Sequence, residues 1–132
     1  MESKIHTISA QEMAVQKMNF QLDESTYIVE IDGATIQSLE KYLSEISDKF
    51  KFPVPSRHLG GYNDWMRDLD WLGKSKYVLI IYNYNEFLSK DVQSKKVIMD
   101  NFLDCIFPWW QTDVEKYCVD GKAKPFNVYL VT

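Results

Sequence analysis

Hydrophobic and polar residues are arranged along the chain in blocks that predict three β-strands. Residues 27–31, 77–82 and 126–131 are rich in β-branched and aromatic side chains, and turn-forming residues separate these runs from their neighbours. Residues 77–82 are apolar throughout, which is typical of a strand buried on both faces, as in a parallel sheet. The three runs therefore predict a small sheet.

Between these strands, apolar residues recur at the three- and four-residue spacing of helices. One helix begins after the N-cap candidate Ser38 and ends near Pro53 and Pro55. Its inward positions are Leu39, Tyr42, Leu43, Ile46 and Phe50. A long helix begins after Asp91, with Met99, Phe102, Leu103 and Ile106 on its inner side. We expect Pro108 to kink or end it, and a further helical segment to carry Trp110, Val114 and Tyr117.

Strands that alternate with helices predict an α/β fold, here a small three-stranded parallel sheet with right-handed crossovers. We expect helices to pack on this sheet in a single layer on each side where they are present. The regular pattern of strands and helices begins at Tyr27. Residues 1–25 show no clear period and are an N-terminal extension of uncertain structure, either an extra helix or an arm packed on the sheet.

The chain is organised around residues 58–72, a glycine-hinged loop that runs into a short helix. Its apolar stripe, at helical spacing, consists of Tyr62, Trp65, Met66, Leu69 and Leu72. Asp64, Asp68 and Trp71 share a different face, where two carboxylates one turn apart repel each other and a large aromatic side chain meets water. This arrangement favours a binding surface. The alternative is the ordinary solvated side of an amphipathic helix.

Composition narrows the range of partners. The chain has 132 residues, of which 45% are hydrophobic and 26% charged, as in one ordinary globular domain. The formal net charge of −4 disfavours nucleic acid as a ligand and favours a basic partner. No apolar run approaches the roughly 20 residues that span a bilayer, and the N-terminus has no signal-peptide pattern. We therefore expect a cytoplasmic protein, monomeric when free, that binds no membrane.

Residues with catalytic or metal-binding chemistry are few and unfavourably spaced. The two histidines, His6 and His58, form no metal-binding motif. Cys105 and Cys118 lack C-x-x-C spacing, and we expect reduced, partly buried thiols in helical regions. The glycine pair at 60–61 belongs to neither a phosphate-binding loop nor a dinucleotide fingerprint. We therefore expect no enzyme activity, no cofactor and no metal.

Two segments carry a resemblance to a known family. One is Asp64-Trp65-Met66-Arg67-Asp68-Leu69 in the central helix, and the other is the closing Pro125-Phe126-Asn127-Val128. The element order agrees: strand, helix, proline-containing loop, central helix, apolar strand, long helix and final strand. Residues 26–132 therefore resemble the barstar family of intracellular ribonuclease inhibitors, although the helical region before the last strand is longer than expected, by an insertion at residues 106–124.

The resemblance implies a mechanism of occlusion, in which the central helix and the preceding loop block the active site of a small basic ribonuclease. The family's principal acidic residue falls on Asp64, and a carboxylate held in the N-terminal part of a helix imitates the phosphate that such an enzyme binds. Gly60 stands where the family carries a second interface aspartate. Arg57 and His58 add positive charge nearby, and Arg67 is expected to pair with an acid, either Asp64 or Asp68.

The other contact residues that the resemblance implies surround Asp64. Asp68 and Trp71 flank it, with Trp71 as a desolvated aromatic of the kind common in interfaces. Gly60 and Gly61 let the loop backbone approach the partner closely. The full set of expected partner-binding residues is His58, Gly60, Gly61, Tyr62, Asn63, Asp64, Asp68 and Trp71.

Three hypotheses about function remain open at this point. The first is an inhibitor or immunity protein that occludes a basic ribonuclease or nuclease toxin. The second is a protein-interaction domain of the same fold with a partner that is not a nuclease. The third is a metal-dependent enzyme in which Asp64, Asp68 and Asp70 hold Mg²⁺.

Overall fold

The computed structural model describes residues 2–132 and has the mixed α/β architecture predicted from the sequence. Its sheet contains four parallel strands in the order β1-β4-β3-β2. The strands are β1 (Ile5–Ile8), β2 (Thr26–Asp32), β3 (Lys76–Tyr82) and β4 (Phe126–Val131). The prediction of three strands was therefore wrong, because the N-terminal segment supplies a fourth.

Strand β1 pairs with β4 at the edge of the sheet. The register places His6 beside Tyr129, and the two rings stack with centroids 4.4 Å apart. Just before β1, the Ser3 hydroxyl accepts a hydrogen bond of 2.8 Å from the backbone N–H of Phe126. A four-residue edge strand has a weak sequence signal, since its pairing partner lies at the other end of the chain.

Helices cover both faces of the sheet. Side chains of β3 alternate between the faces: Leu79 and Ile81 pack with one group of helices, whereas Val78 and Ile80 lie under another. The helices are α1 (Ala10–Gln21), α2 (Leu39–Lys49), α3 (Leu59–Met66), α4 (Val92–Asn101) and α5 (Val114–Tyr117). Helix α1 alone covers the face that carries Val78 and Ile80, and the other helices lie on the face that carries Leu79 and Ile81. No helix within residues 2–132 has the length and apolarity needed to cross a membrane.

Several local predictions are confirmed. The Ser38 hydroxyl accepts a hydrogen bond from the backbone N–H of Lys41 and caps α2, and the Asp91 carboxylate caps α4 through Ser94. From Tyr77 to Ile81, no residue of β3 is more than 4% exposed, so this strand is buried on both faces. These features depend on residues close in sequence, which is why the pattern alone predicted them.

The long helix after β3 does not end at Pro108. It continues from α4 through two π-helical turns, Phe102–Ile106 and Trp109–Asp113, into α5. In the first turn, the backbone N–H of Phe107 reaches back five residues to the carbonyl oxygen of Phe102. Such wider turns accommodate a proline ring, which has no N–H and crowds the preceding turn. The proline therefore distorts the helix locally without terminating it.

Helix α1 is anchored by one buried side chain. Met13 is fully buried against Val78, Ile80 and Val131, whereas Met18 on the same helix is 66% exposed. We expect Met13→Ala to lower the free energy of unfolding by about 2–4 kcal/mol, because the lost burial and the resulting cavity both destabilise the fold. Met18→Ala is the matched control, with an expected change within about 0.5 kcal/mol. Urea denaturation measures both, and equal effects would contradict this view of α1.

Asp23 joins the start of β2 to that of β3. Its carboxylate accepts hydrogen bonds from the backbone and hydroxyl of Ser25 and from the Thr26 hydroxyl, and it lies 2.9 Å from Lys76 Nζ. The Ser25 hydroxyl first, and then Lys76, hold the pKa of Asp23 well below its ordinary value. A carboxylate whose pKa is lower in the folded state than in the unfolded state stabilises the fold at pH values above the unfolded-state pKa of about 3.9. This stabilisation is lost as the pH falls from there through the folded-state pKa.

We therefore expect Asp23→Asn to lower the free energy of unfolding at neutral pH, by an amount that shrinks as the pH falls below about 4. Urea denaturation across that pH range measures the difference from the unsubstituted protein. Glu24→Gln is the control, because the neighbouring Glu24 carboxylate accepts no hydrogen bond within residues 2–132. A loss for Asp23→Asn that stays constant from neutral pH to pH 3 would refute the assignment.

Candidate partner-binding site

The central helix is shorter than the sequence predicted. Helix α3 ends at Met66, and the chain then turns through Leu69, whose φ of 58° is left-handed. A separate 3₁₀ turn, Asp70–Leu72, follows and ends on Gly73 with a φ of 64°. Residues 58–72 are therefore a helix and a turn, and one helical wheel does not describe the positions after Met66.

The predicted apolar stripe nevertheless faces the core. Tyr62, Met66 and Leu69 are fully buried, and Trp65 and Leu72 pack against the same core while remaining partly exposed. A left-handed non-glycine residue costs of order 1–3 kcal/mol. Complete burial of a leucine side chain contributes a similar amount of roughly 1.5–3 kcal/mol, which offsets the strain at Leu69.

Tyr62 presents no surface to a partner, contrary to its inclusion among the expected contact residues. Its side chain is fully buried, and its hydroxyl lies 2.7 Å from the hydroxyl of Tyr42 on α2. Burial raises the pKa of both hydroxyls above the ordinary tyrosine value, so both stay neutral. The function of Tyr62 is to hold α3 on α2.

Asp64 is the acidic residue that α3 presents to solvent. Its side chain is 78% exposed, and Oδ1 accepts a hydrogen bond of 3.3 Å from Arg67 Nη2. Arg67 is held in turn, because Nε donates to the carbonyl oxygen of Asn63 and the guanidinium lies 5.8 Å from the ring centroid of Trp109. An exposed ion pair contributes only about 0–1 kcal/mol. The pairing predicted for Arg67 is thus confirmed with Asp64, and it orients the carboxylate without masking it.

The position of Asp64 along the helix differs from the expectation. It lies in the last turn of α3 rather than in its N-terminal part. The helix dipole is negative at this end and does not favour a carboxylate, so solvent and Arg67 stabilise the charge instead. Oδ2 has no hydrogen-bond partner within residues 2–132. This oxygen is free to accept hydrogen bonds from another protein.

The start of α3 is open to solvent. His58 occupies the N-cap position and makes no side-chain cap, so the first N–H groups of the helix lack a side-chain acceptor. Gly60 and Gly61 are exposed. A methyl group on Gly60 would meet nothing within 4 Å, and one on Gly61 would lie 3.2 Å from Ser56 Oγ. The fold therefore does not require a glycine at position 60. Close approach of another protein to the backbone would explain why this position is a glycine.

The prediction that Trp71 shares a helical face with Asp64 was wrong, because α3 ends at Met66, before the chain reaches Trp71. It lies in the 3₁₀ turn, edge-on to the rings of Trp65 and Phe52, with centroids 5.5 and 6.2 Å away. Its Nε1 donates a hydrogen bond of 2.9 Å to the carbonyl oxygen of Phe50. The indole is half-buried and mainly fixes the turn against the end of α2.

Asp68 and Asp70 lie beyond the helix and close to each other. Asp68 Oδ1 accepts a hydrogen bond of 3.1 Å from the backbone N–H of Asp70. Burial raises the pKa of Tyr77, and the carboxylates of Asp70 and Asp68 raise it further. Within residues 2–132, no three His, Cys, Asp or Glu side chains gather as a metal site. Asp64, Asp68 and Asp70 therefore do not form the cluster that the metal-enzyme hypothesis needs.

Two other sequence predictions concern side chains beside α3. Asn63 is partly buried, and its Oδ1 accepts a hydrogen bond of 2.6 Å from Asn101 Nδ2, which joins α3 to α4. Cys105 and Cys118 are free thiols, as predicted. Cys105 is half-buried in the first π-helical turn, as predicted, but the prediction of a partly buried thiol in a helix was wrong for Cys118, which is exposed and follows the end of α5.

A cleft of about 450 Å³ lies between the end of α3 and residues 109–124, and the sequence did not predict it. Asp68 and Asp70 line one side. Trp110 lines the other, and its Nε1 donates a hydrogen bond of 2.9 Å to the carbonyl oxygen of Met66. The two sides are far apart in the chain, and no short-range pattern relates them. The abundance of aromatic residues in the insertion was the only available signal.

Gly60 offers a direct test of the open helix start. We expect Gly60→Ala to raise the free energy of unfolding by about 0.5–1 kcal/mol, because alanine favours a helix and nothing obstructs its methyl group. Gly33→Ala is the contrasting control, since its methyl group would lie only 2.7 Å from the carbonyl oxygen of Tyr82. Thermal denaturation compares the two. A lower melting temperature for Gly60→Ala would show that the fold itself needs this glycine.

Comparison with known proteins places this chain in a family. A family model described as Barstar (barnase inhibitor) matches residues 26–130. No curated protein and no solved structure gives a match. The matched segment contains β2, β3, most of β4 and α3 with its exposed Asp64, and it leaves β1 and α1 outside. Because the match covers most of the 132 residues, the chain belongs to the barstar family, whose members are inhibitors rather than enzymes.

Proposed function

We propose that this protein inhibits a small basic ribonuclease or nuclease toxin by binding over its active site, as an immunity protein or antitoxin in the cytoplasm. The observation that carries the proposal is Asp64, an exposed carboxylate on a helix whose other side is buried in the core. Membership of a family of barnase inhibitors supports the same function. The protein acts as a monomer that meets its partner with the exposed side of α3.

The chemistry of inhibition follows from the free oxygen of Asp64. A ribonuclease binds the phosphate of its substrate with arginine, lysine and histidine side chains, and these groups donate charge-assisted hydrogen bonds equally well to a carboxylate. Asp64 Oδ2 takes the place of a phosphate oxygen, while Oδ1 stays oriented by Arg67. The body of α3 then blocks the substrate's path to the catalytic groups.

The overall charge supports rapid association with such an enzyme. The formal net charge of the chain is −4, and a basic ribonuclease carries the opposite sign. Opposite charges steer the two proteins together and raise the association rate, and this effect weakens as salt increases. Asp64 and Asp68 place part of this negative charge at the proposed interface.

A second candidate is an interaction domain whose partner is not a nuclease, and the start of α3 favours it. Gly60 stands where the family carries an acidic interface residue, and the exposed Arg57 and His58 make this end of the surface basic. A partner with an acidic or neutral patch opposite the start of α3 suits these residues better. The two candidates differ in whether RNA cleavage is blocked.

The decisive experiment is titration of a nuclease with the purified protein while RNA cleavage is followed. Barnase and a second small basic ribonuclease are the two enzymes to test, and we expect stoichiometric inhibition of at least one. Asp64→Asn removes the charge and keeps the shape of the side chain. We expect it to weaken binding by roughly 30- to 4000-fold, since breaking a buried charge pair costs about 2–5 kcal/mol.

Glu12→Gln is the matched control, because it makes the same carboxylate-to-amide change on α1, on the opposite face of the sheet. Glu12 lies at the third position of its helix, where glutamine serves as well as glutamate. This variant should inhibit as the unsubstituted protein does. Uninhibited cleavage by both nucleases, with capture of a partner that has no nuclease activity, would favour the second candidate instead.

A further inference from the structure

We propose that the start of α3 is an anion-binding site, which receives an acidic side chain of the protein that docks on this helix. The backbone N–H groups of Leu59, Gly60 and Gly61, the Ser56 hydroxyl and the Arg57 guanidinium bind the oxyanion. This inference rests on the proposed function for the identity of the partner. It adds a contact whose charge is opposite to that of the contact at the end of the helix.

Three backbone N–H groups at the start of α3 have no acceptor. The first hydrogen bond of the helix runs from the N–H of Tyr62 to the carbonyl oxygen of His58, so the N–H groups of residues 59–61 stay free within residues 2–132. The backbone of His58 is extended, with φ −137° and ψ 154°, as in a capped helix, but its side chain makes no cap. Free N–H groups at a helix start act as roughly half a positive charge and favour an oxyanion.

The Ser56 hydroxyl is a second, independent sign of a ligand. This side chain is only 8% exposed, and its Oγ forms no hydrogen bond within residues 2–132, although the backbone N–H of Ser56 donates to Ser47 Oγ at 3.0 Å. The hydroxyl lies against the first turn of α3, since a methyl group on Gly61 would be 3.2 Å from Oγ. A buried hydroxyl without a partner is unfavourable. An oxyanion at the helix start would accept its hydrogen bond.

Arg57 supplies a full positive charge beside these donors. It directly precedes the N-cap residue, is exposed and forms no ion pair within residues 2–132. It also lines a groove of about 1140 Å³ between α2 and the loop before α3. The groove as a whole is charge-balanced, because Glu40 and Asp48 line it together with Lys51 and Arg57. The free N–H groups of α3 therefore decide which charge is favoured next to Arg57.

The position of the site points to the protein that binds Asp64. Gly60 and Asp64 are four residues apart, on the same side of the helix and about 6 Å apart along its axis. A partner that covers Asp64 therefore covers the start of α3 as well. A single carboxylate fits this place, whereas a polyanion such as RNA would bring further phosphates towards Asp64 and a chain of net charge −4. The partner thus presents a cation and a carboxylate about one helical turn apart.

The first measurement uses inorganic phosphate and the free protein. Backbone amide resonances are followed by NMR while phosphate replaces chloride at constant ionic strength. We expect the amides of Gly60 and Gly61 to shift saturably as phosphate binds. The amide of Lys41 is the internal control, because it has the same position in α2 as Gly61 has in α3 but already donates to the Ser38 hydroxyl. It should not respond.

Two substitutions remove the site in different ways. Ser56→Ala deletes the hydroxyl, and we expect it to weaken phosphate binding by about fivefold, as for the loss of one hydrogen bond. Ser44→Ala is the matched control, since Ser44 is exposed on the α2 side of the same groove. His58→Asp places a carboxylate at the N-cap, where it accepts hydrogen bonds from the free N–H groups. This variant should melt at a higher temperature and show no saturable response to phosphate.

The second measurement is the affinity for whichever ribonuclease the protein inhibits, barnase or a second small basic ribonuclease. We expect His58→Asp to weaken binding by roughly tenfold, because its carboxylate occupies the N–H groups and repels the acid of the partner. His58→Asn also caps the helix but adds no charge, so it should weaken binding less. Ser56→Ala should weaken binding by about fivefold, and Ser44→Ala should leave it unchanged.

The outcomes separate this inference from the proposed function. Ribonuclease binding that Asp64→Asn abolishes, but that His58→Asp and Ser56→Ala leave intact, would overturn the carboxylate contact and leave the proposed function standing. Gly60 and Gly61 amides that ignore phosphate would rule out the anion site whatever the nuclease result. Failure to inhibit either nuclease would remove the proposed function and, with it, the assignment to an acidic side chain of the ribonuclease. A short RNA that shifts the same amides would assign the site to nucleic acid and refute the inference.

Discussion

The hydrogen bond between the buried hydroxyls of Tyr42 and Tyr62 fixes the position of the helix on which the site depends. Helix α3 has only eight residues, two of them glycines, and isolated helices below about 12–15 residues are marginal in water. Tertiary contacts must therefore hold it. The tyrosine pair satisfies two polar groups that would otherwise be costly in the core, and Met66 and Leu69 add apolar burial on the same side.

These core contacts hold α3, a segment with weak helical propensity, in a fixed position from which it presents the charge of Asp64. Because one side of α3 is buried in the core, Asp64 on the other side projects into solvent, and Arg67 orients its carboxylate. Arg67 is itself oriented by the Asn63 carbonyl oxygen and by the ring of Trp109, which belongs to a different part of the chain. A binding group that is already oriented loses little freedom when it docks, so more of its interaction energy contributes to affinity.

The N-terminal segment completes the sheet without belonging to the part that the family model matches. Strand β1 extends the sheet beyond β4, and α1 covers the face that carries Val78 and Ile80. One fully buried side chain, Met13, joins α1 to that face. The proposed site and the N-terminal layer therefore lie on opposite faces of the sheet and share the strands between them. Substitutions on α1 serve as controls for this reason.

Features that depend on neighbours within a few residues were determined by the sequence alone: the helix cap at Ser38, the apolar run of the buried strand, and the pairing of Arg67 with a nearby acid, for which the structure selects Asp64. The tertiary structure decided the rest. Strand β1 exists because of residues at the other end of the chain, α3 ends early because the core takes the side chain of Leu69, and Trp71 turns inward to bond the end of α2. The cleft at Asp68 arises from distant segments brought together. Short-range patterns carry no information about such pairings, since burial and long-range hydrogen bonds are settled only when the whole core is packed.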